Sequence, residues 1–298
     1  MKSYYKLPTM SHPLFEIVTT TTGAVSIRNK AVNEIMHNPV GPWLEANSLY
    51  IDQSNLRSRL TEALDEFVVF DIGLGAGANA LAALAAVKSV SPTRPFRMVS
   101  FERDLELLQF ALDHAKHFAH FTGYETAIRQ ILSTGEWQDG LLTWQLRQGD
   151  FLDQIKNEKF RPHIVFFDPY SPEVNKDMWT TSCFRKIRSR CRESHEGGTS
   201  LYTYSQATRI RAAMIAAGFF VGYGASTGLK KDTTEAATSL HLLRRPLGSE
   251  WLERWQKSPV RYPYDCSSEQ EAELEQSIRK YFYVNNSTLG NNQKPDLR

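Results

Sequence analysis

At 298 residues, 41% hydrophobic and 23% charged, the chain has the composition of an ordinary soluble globular protein, long enough for one large α/β domain with appendages. No apolar stretch reaches bilayer-spanning length, and Met1-Lys2-Ser3-Tyr4-Tyr5-Lys6 lacks the apolar core of a secretory signal, so a cytoplasmic protein with no membrane partner is expected. Cys183, Cys191 and Cys266 show no paired spacing, which argues against a disulfide framework or a zinc site, and the net charge of +2 does not by itself point to nucleic acid.

In chain order, residues 14–28 predict a β-hairpin turning at Thr22-Gly23. With the mixed segment that follows, it makes an N-terminal extension over 1–60, too short for a core of its own. From residue 67 strand and helix alternate. Strands are expected over 67–72, 96–101, 143–147, 163–167, 199–203, 219–223 and 238–243, and helices over 78–90 and 105–118. Residues 119–142 read as a partly helical insertion. This alternation implies a mainly parallel, seven-stranded sheet with right-handed crossovers, an α/β main domain over 61–246. The remaining 247–298 read as a C-terminal helical segment, helical over 269–282, with a mobile tail from Asn285. The tryptophans Trp43, Trp137, Trp144, Trp251 and Trp255 read as packing residues.

Two segments carry the chemistry. Val68 to Ile72 is an apolar strand that ends in Gly73-Leu74-Gly75-Ala76-Gly77 and opens into a helix with Asn79 in its first turn. Glycine there lets backbone approach a ligand closely. Glu102, at the tip of the next strand, is placed to accept both ribose hydroxyls of a nucleoside cofactor. Asp150 ends the third strand and is suited either to an adenine amino group or to capping the following helix. The second segment, Asp168-Pro169-Tyr170-Ser171-Pro172, puts a carboxylate on a proline-stiffened turn. Ligands of open α/β sheets sit beyond the carboxyl ends of the strands, so both segments are expected to face one crevice.

The combination reads as a methyltransferase using S-adenosylmethionine, with Gly73, Gly75, Gly77, Asn79, Glu102, Asp150 and Asp168 toward the cofactor. Asp168 and Tyr170 are the catalytic candidates: the carboxylate orients an amine and takes up a proton, and the tyrosine stacks on a planar base. A carboxylate also stabilises the unreactive ammonium, so its expected benefit is mainly orientation. Farther on, Arg185, Lys186, Arg188, Arg190 and Arg192 crowd one helical stretch, followed by Arg209, Arg211, Lys230 and Lys231. Such clustering creates a local positive field that the whole-chain charge conceals.

Over residues 18–245 these segments resemble the tRNA 5-methylaminomethyl-2-thiouridine methyltransferases, the methyltransferase half of MnmC and its stand-alone MnmD-like relatives. Asp71 to Asn79 is similar to the family's glycine loop. Asp168-Pro169-Tyr170-Ser171-Pro172 with Asn175-Lys176-Asp177-Met178-Trp179-Thr180 resembles its Asp-x-aromatic-Ser-Pro…Asn-Pro-x-x-Trp-Thr stretch, and Gly41-Pro42-Trp43-Leu44-Glu45 sits where it has Gly-Ala-x-x-Glu. Pro169 and Lys176 depart from the pattern, and Gly228-Leu229-Lys230-Lys231-Asp232 only echoes its basic loop. The resemblance implies a class I, Rossmann-like S-adenosylmethionine-dependent methyltransferase fold and methylation of the aminomethyl nitrogen of 5-aminomethyl-(2-thio)uridine at the tRNA wobble position. It implies tRNA, through its anticodon stem-loop, as partner, with Trp179, Arg185, Arg188, Arg190, Lys230 and Lys231 toward it, no metal, and a separate FAD-dependent oxidase supplying the substrate. The competing readings are a methyltransferase acting on a small-molecule or protein amine, a polyamine aminopropyltransferase, and a binding module without catalysis.

Overall fold

The computed structural model describes residues 5–6, 12–36, 40–61, 65–90, 93–226 and 232–290. Four strands, β1 (Tyr5–Lys6), β2 (Phe15–Thr19), β3 (Val25–Asn29) and β4 (Glu34–Ile35), form a small antiparallel sheet. The expected hairpin is β2–β3. It closes through Thr20 N–H to the Ala24 carbonyl at 2.8 Å, with Gly23 at φ +84°. Ile17 and Ile27 face each other across it, and both are buried against the main domain.

Gly41 then leads into α1 (Pro42–Glu45), a π-helical stretch Ala46–Asp52, and α2 (Leu56–Arg59). Main-domain strands follow as β5 (Phe67–Ile72), β6 (Phe96–Glu102), β7 (Glu136–Asp139), β8 (Leu142–Gln148), β9 (Ile164–Phe167), β10 (Ser200–Thr203), β11 (Phe220–Gly224) and β12 (Thr233–Ala237). Between and after them run α3 (Ala78–Val90), α4 (Glu106–Asp113), α5 (Glu125–Thr134), α6 (Phe151–Asn157), α7 (Thr181–Arg190), α8 (Thr208–Ala216), α9 (Ser249–Lys257) and α10 (Glu271–Gly290).

Among the described residues these strands make one eight-stranded sheet in the order β11-β12-β10-β9-β5-β6-β8-β7. The β5–β6, β5–β9, β6–β8 and β9–β10 pairs are parallel, and the two edges are antiparallel. β5 lies at the centre and is buried along its whole length. Its side chains alternate between two cores. Phe67 and Val69 join α3, α4, α5 and the N-terminal sheet, while Val68, Phe70 and Ile72 join α6 to α10. That two-sided burial is why the strand reads as a continuous apolar run.

Three expectations are corrected. The sheet has eight strands rather than seven, because the insertion holds β7 as well as the expected helix, now α5. The last strand is β12 at 233–237, whereas 238–243 turns away through a single 3₁₀ turn. Its sequence, Thr-Thr-Glu-Ala-Ala, is a poor strand former in isolation. It is a strand because small side chains fit between β10 and β11, and because buried Glu235 accepts the Arg244 N–H at 2.8 Å. The C-terminal helix runs to Gly290, beyond the expected end, so 285–290 is helical.

The C-terminal segment is core rather than appendage. Trp251, Trp255, Ile278 and Phe282 bury into the α6–α10 layer, and the Asp265 carboxylate receives the Thr181 and Ser182 N–H groups at 2.9 Å each at the start of α7. Among the described residues no helix is long and apolar enough to cross a membrane. Trp255 is 1% exposed, so Trp255→Ala is expected to cost about 3–5 kcal/mol in a urea melt followed by circular dichroism. A segment loosely attached to the domain would lose almost nothing.

Candidate active site

The carboxyl ends of β5 and β9 meet directly. The Asp168 N–H donates to the Ile72 carbonyl at 2.9 Å, while on the other flank of β5 the Gly73 N–H donates to the Phe101 carbonyl of β6 at 3.1 Å. Gly73 has φ +91°, and a Cβ there would stand 2.6 Å from the Asp168 carbonyl oxygen. Only glycine lets the two backbones close to this distance. Beyond the joint opens a cleft of about 1160 Å³ lined by Gly73, Gly75, Asn79, Glu102, Asp150, Asp168 and Tyr170, with Asn29 and Glu34 from the N-terminal sheet and Glu45 from α1. The two sequence segments therefore share one crevice, as expected.

On the glycine-loop side, Glu102 receives the Gly75 N–H on one carboxylate oxygen at 2.9 Å. Its other oxygen takes the Arg103 and Asp104 N–H groups at 2.8 and 3.2 Å. Burial raises its pKa, and those three N–H groups oppose the shift. Asp150 caps α6 by accepting the Leu152 N–H at 2.8 Å, and it also lines the cleft. Gly77, at φ +84°, is not among the cleft-lining residues, and a Cβ on it would press to 3.1 Å on Leu108, so it lets α3 pack against α4.

On the other side, Asp168 accepts the Asn79 side-chain N–H at 2.8 Å and a hydrogen bond from the Tyr50 hydroxyl. Burial, then the nearby Glu45 carboxylate, push its pKa up to about 8, against those two hydrogen bonds. Beneath it, Asp71 is raised to about 7, chiefly by burial. Asp71 is held by Ser100 Oγ at 2.8 Å, which in turn receives Trp144 Nε1 at 2.9 Å. The turn bearing Asp168 is pinned from three directions. Tyr204 donates to the Pro169 carbonyl at 3.0 Å, Asn29 donates to the Tyr170 hydroxyl at 3.0 Å, and the Ser171 hydroxyl donates to Glu34.

Other predicted site residues lie elsewhere. Trp179 is 0% exposed, edge-on to Phe167 at 5.1 Å and Tyr204 at 5.5 Å. Its indole N–H donates to the Tyr170 carbonyl at 2.8 Å, so it stiffens the turn and offers no face to a base. The basic stretch of α7 also points the wrong way. α7 starts beside the cleft and runs about 15 Å toward the amino ends of the strands. There the Cys191 carbonyl accepts from Arg161, three residues ahead of β9. Arg188 makes a bidentate pair with Glu193 at 2.8 and 2.9 Å, and Arg190 donates to the Lys156 carbonyl. These two groups serve the fold. Arg185, on the same helix, is exposed. Lys230 and Lys231 lie outside the described residues.

Glu45, Tyr50, Asp71 and Asn29 were not among the predicted site residues. Of these, Glu45 carried a sequence signal as the last residue of the Gly41–Glu45 segment, and Asp71 as the first residue of the glycine-loop stretch. The cleft wall holds seven carboxylates, Glu34, Glu45, Glu102, Asp104, Asp150, Asp168 and Asp177, against two guanidinium groups, Arg28 and Arg103. It is built for positively charged ligands.

Comparison with known proteins agrees with this geometry. Residues 115–239, which include the Asp168 turn, match a family model described as S-adenosyl-L-methionine-dependent methyltransferase. The chain is 26% identical over 200 residues to the tRNA 5-methylaminomethyl-2-thiouridine biosynthesis bifunctional protein MnmC of Burkholderia mallei, and 25% identical over 203 residues to that of Burkholderia pseudomallei. Each alignment spans 62% of this chain and 30% of the relative, so the chain matches under a third of the length of those proteins. Its fold is that of MNMC2 from Aquifex aeolicus, with a TM-score of 0.67 over 92% of this chain and 85% of that one, at 22% identity.

Two outcomes are expected. Gly73→Ala drives β5 and β9 apart, lowering the melting temperature by several degrees and abolishing ligand binding in the cleft. Asp168→Asn removes a carboxyl that keeps its proton in the folded state and loses it on unfolding between its ordinary value, 3.8, and about 8. The folded parent therefore loses stability as pH rises through that window. Asp168→Asn should match the parent near pH 4 and melt a few degrees higher near pH 8, measured by calorimetry.

Proposed function

We propose, on the premise that the chain is an MnmC-like S-adenosylmethionine-dependent methyltransferase, that it methylates the aminomethyl nitrogen of 5-aminomethyl-(2-thio)uridine at the wobble position of tRNA. The observation that carries this reading is the joint of Gly73 with Asp168, which sets a cofactor-type glycine loop against a buried carboxyl in one acidic cleft. Supply of the aminomethyl substrate by a separate FAD-dependent oxidase belongs to the same reading.

The residues present fit the cofactor. Gly73 and Gly75, both at positive φ, line the cleft with bare backbone, and Glu102 stands beside them as the acceptor for ribose hydroxyls. Asp150, though it caps α6, faces the cleft and is assigned to the adenine amino group. Asn79 keeps the Asp168 carboxyl turned inward. When bound, S-adenosylmethionine supplies an electrophilic methyl group on a cationic sulfonium, and the carboxylate-rich wall attracts that charge.

Asp168 manages the amine. An alkyl amine holds its proton to about pH 10, so passing it to an ordinary aspartate near 4 costs roughly 8 kcal/mol. With Asp168 at about 8 in the free protein, the gap starts at roughly two units, about 3 kcal/mol, and widens as the sulfonium charge lowers the Asp168 value. The raised pKa thus eases the conflict between orienting an amine and trapping it as ammonium. Glu45 takes part by keeping the proton affinity of Asp168 high. Tyr170, fixed by Asn29 and Trp179, is assigned to the face of the uracil ring. A wobble base lies in a loop and turns out into such a pocket at modest unstacking cost.

The test is methyl transfer to tRNA carrying the aminomethyl group, beside cofactor affinity by calorimetry. Asp168→Ala is expected to bind S-adenosylmethionine within about tenfold of the parent and to lose roughly 10²–10⁴-fold in kcat. Transfer at the parent rate would remove Asp168 from the reaction, and a parent inactive on this tRNA but active on a free amine would move the substrate elsewhere.

A further inference from the structure

With α7 turned away from the cleft, the question becomes which surface holds a polyanion whose reacting base enters an acidic pocket. The cleft carboxylates repel phosphates, so the holding charge must lie on the rim. Lys176 is exposed between Asn175 and Asp177, both of which line the cleft. Arg209 is the second residue of α8, five residues after the cleft-lining Tyr204. The two cations share one aromatic ring. The Arg209 guanidinium lies 4.5 Å, and the Lys176 ammonium 5.9 Å, from the centre of Tyr264.

Tyr264 is itself fastened to the rim. Its neighbour Asp265 accepts the Thr181 and Ser182 N–H groups, directly after the loop that carries Lys176. Arg209 donates one N–H, from Nε, to the Val260 carbonyl at 3.4 Å, which fixes the plane of the guanidinium. Neither cation forms an ion pair among the described residues, in contrast to Arg188 of α7 with its bidentate carboxylate. Two cations gathered at one half-buried ring, without a carboxylate partner, leave a local positive field that an anion relieves.

We propose that Lys176, Arg209 and Tyr264 form a docking platform for the RNA backbone at the cleft rim, the cations taking phosphates and the ring edge packing against a sugar or base. The proposal rests on the tRNA reading above and gives it a place on the surface. Residues 115–239 match the methyltransferase family, so the platform draws its ring from a part of this chain beyond that match. An RNA hairpin suits it better than a uniform duplex, because cation-flanked aromatic rings favour unstacked nucleotides.

The experiment is fluorescence anisotropy of a labelled anticodon-arm RNA hairpin, titrated with the full chain at a series of potassium chloride concentrations. Lys176→Gln and Arg209→Gln are each expected to reduce the slope of log affinity against log salt by about 0.7–1. Together they should weaken binding at physiological salt on the order of tenfold. Lys176→Arg keeps the parent slope, and so does Arg185→Gln on α7. Because Lys176 is exposed, its substitution decides the matter even if Arg209→Gln proves unstable. A Lys176→Gln slope equal to the parent's, or a loss that appears in Arg185→Gln instead, overturns the platform. Binding and methyl transfer are separate readouts. A parent that binds the hairpin with the expected slope yet methylates no aminomethyl tRNA contradicts the proposed substrate and leaves the platform standing.

Discussion

The backbone joint at the ends of β5 and β9 is the constraint on which the site depends. Asp168 hangs from the Ile72 carbonyl, and Gly73 turns under it with no room for a side chain. This closeness makes one cleft out of two chain segments almost a hundred residues apart. It also explains the layers of support around it. Tyr204, Asn29 and Glu34 hold the turn from the sheet and from the N-terminal strands, while Trp179 holds it from below. Such redundancy fixes the position of the carboxyl, as the proposed orienting role requires.

The same site stores unfavourable charge. Glu45, Asp168 and Asp71 are buried near one another, and Asp168 and Asp71 are raised far above ordinary carboxylates. Protons on these two lower the cost of burial, and a cationic ligand shifts the balance toward the charged forms. Binding a sulfonium therefore does two things at once: it stabilises the fold and it changes the proton affinity of the group beside the amine. Perturbed carboxyls of this kind gather at functional sites because elsewhere they only cost stability. In the proposed reading, acidic interior and basic rim divide the work, one drawing in a cation and the other holding a polyanion outside.

Much of this was legible in the sequence. The glycine loop, Glu102 and the Asp168 turn each follow an apolar strand, and strand ends are where local pattern and global topology coincide. Glu45, Tyr50 and Asn29 were not assigned, because they reach the cleft from the N-terminal extension across more than a hundred residues of chain, and periodicity says nothing of such contacts. Arg188 and Arg190 of α7 were overread for a related reason. Their count suggested a binding surface, but which end of the helix meets the cleft is decided by the crossover from β9, and Glu193 and the Lys156 carbonyl absorb their donors. β12 escaped notice since its residues are small and polar, and only tertiary packing makes them a strand.

The central claim is that Asp168 is a buried carboxyl whose proton affinity is high in the free protein and falls when the cofactor's positive charge binds beside it. Carbon-13 NMR titration of the Asp168 carboxyl, assigned with Asp168→Asn, measures this directly. The account predicts a midpoint near 8 in the free protein and a clear fall when S-adenosylmethionine saturates the cleft. An ordinary midpoint near ~4 in the free protein, or one that cofactor leaves unmoved, would contradict it.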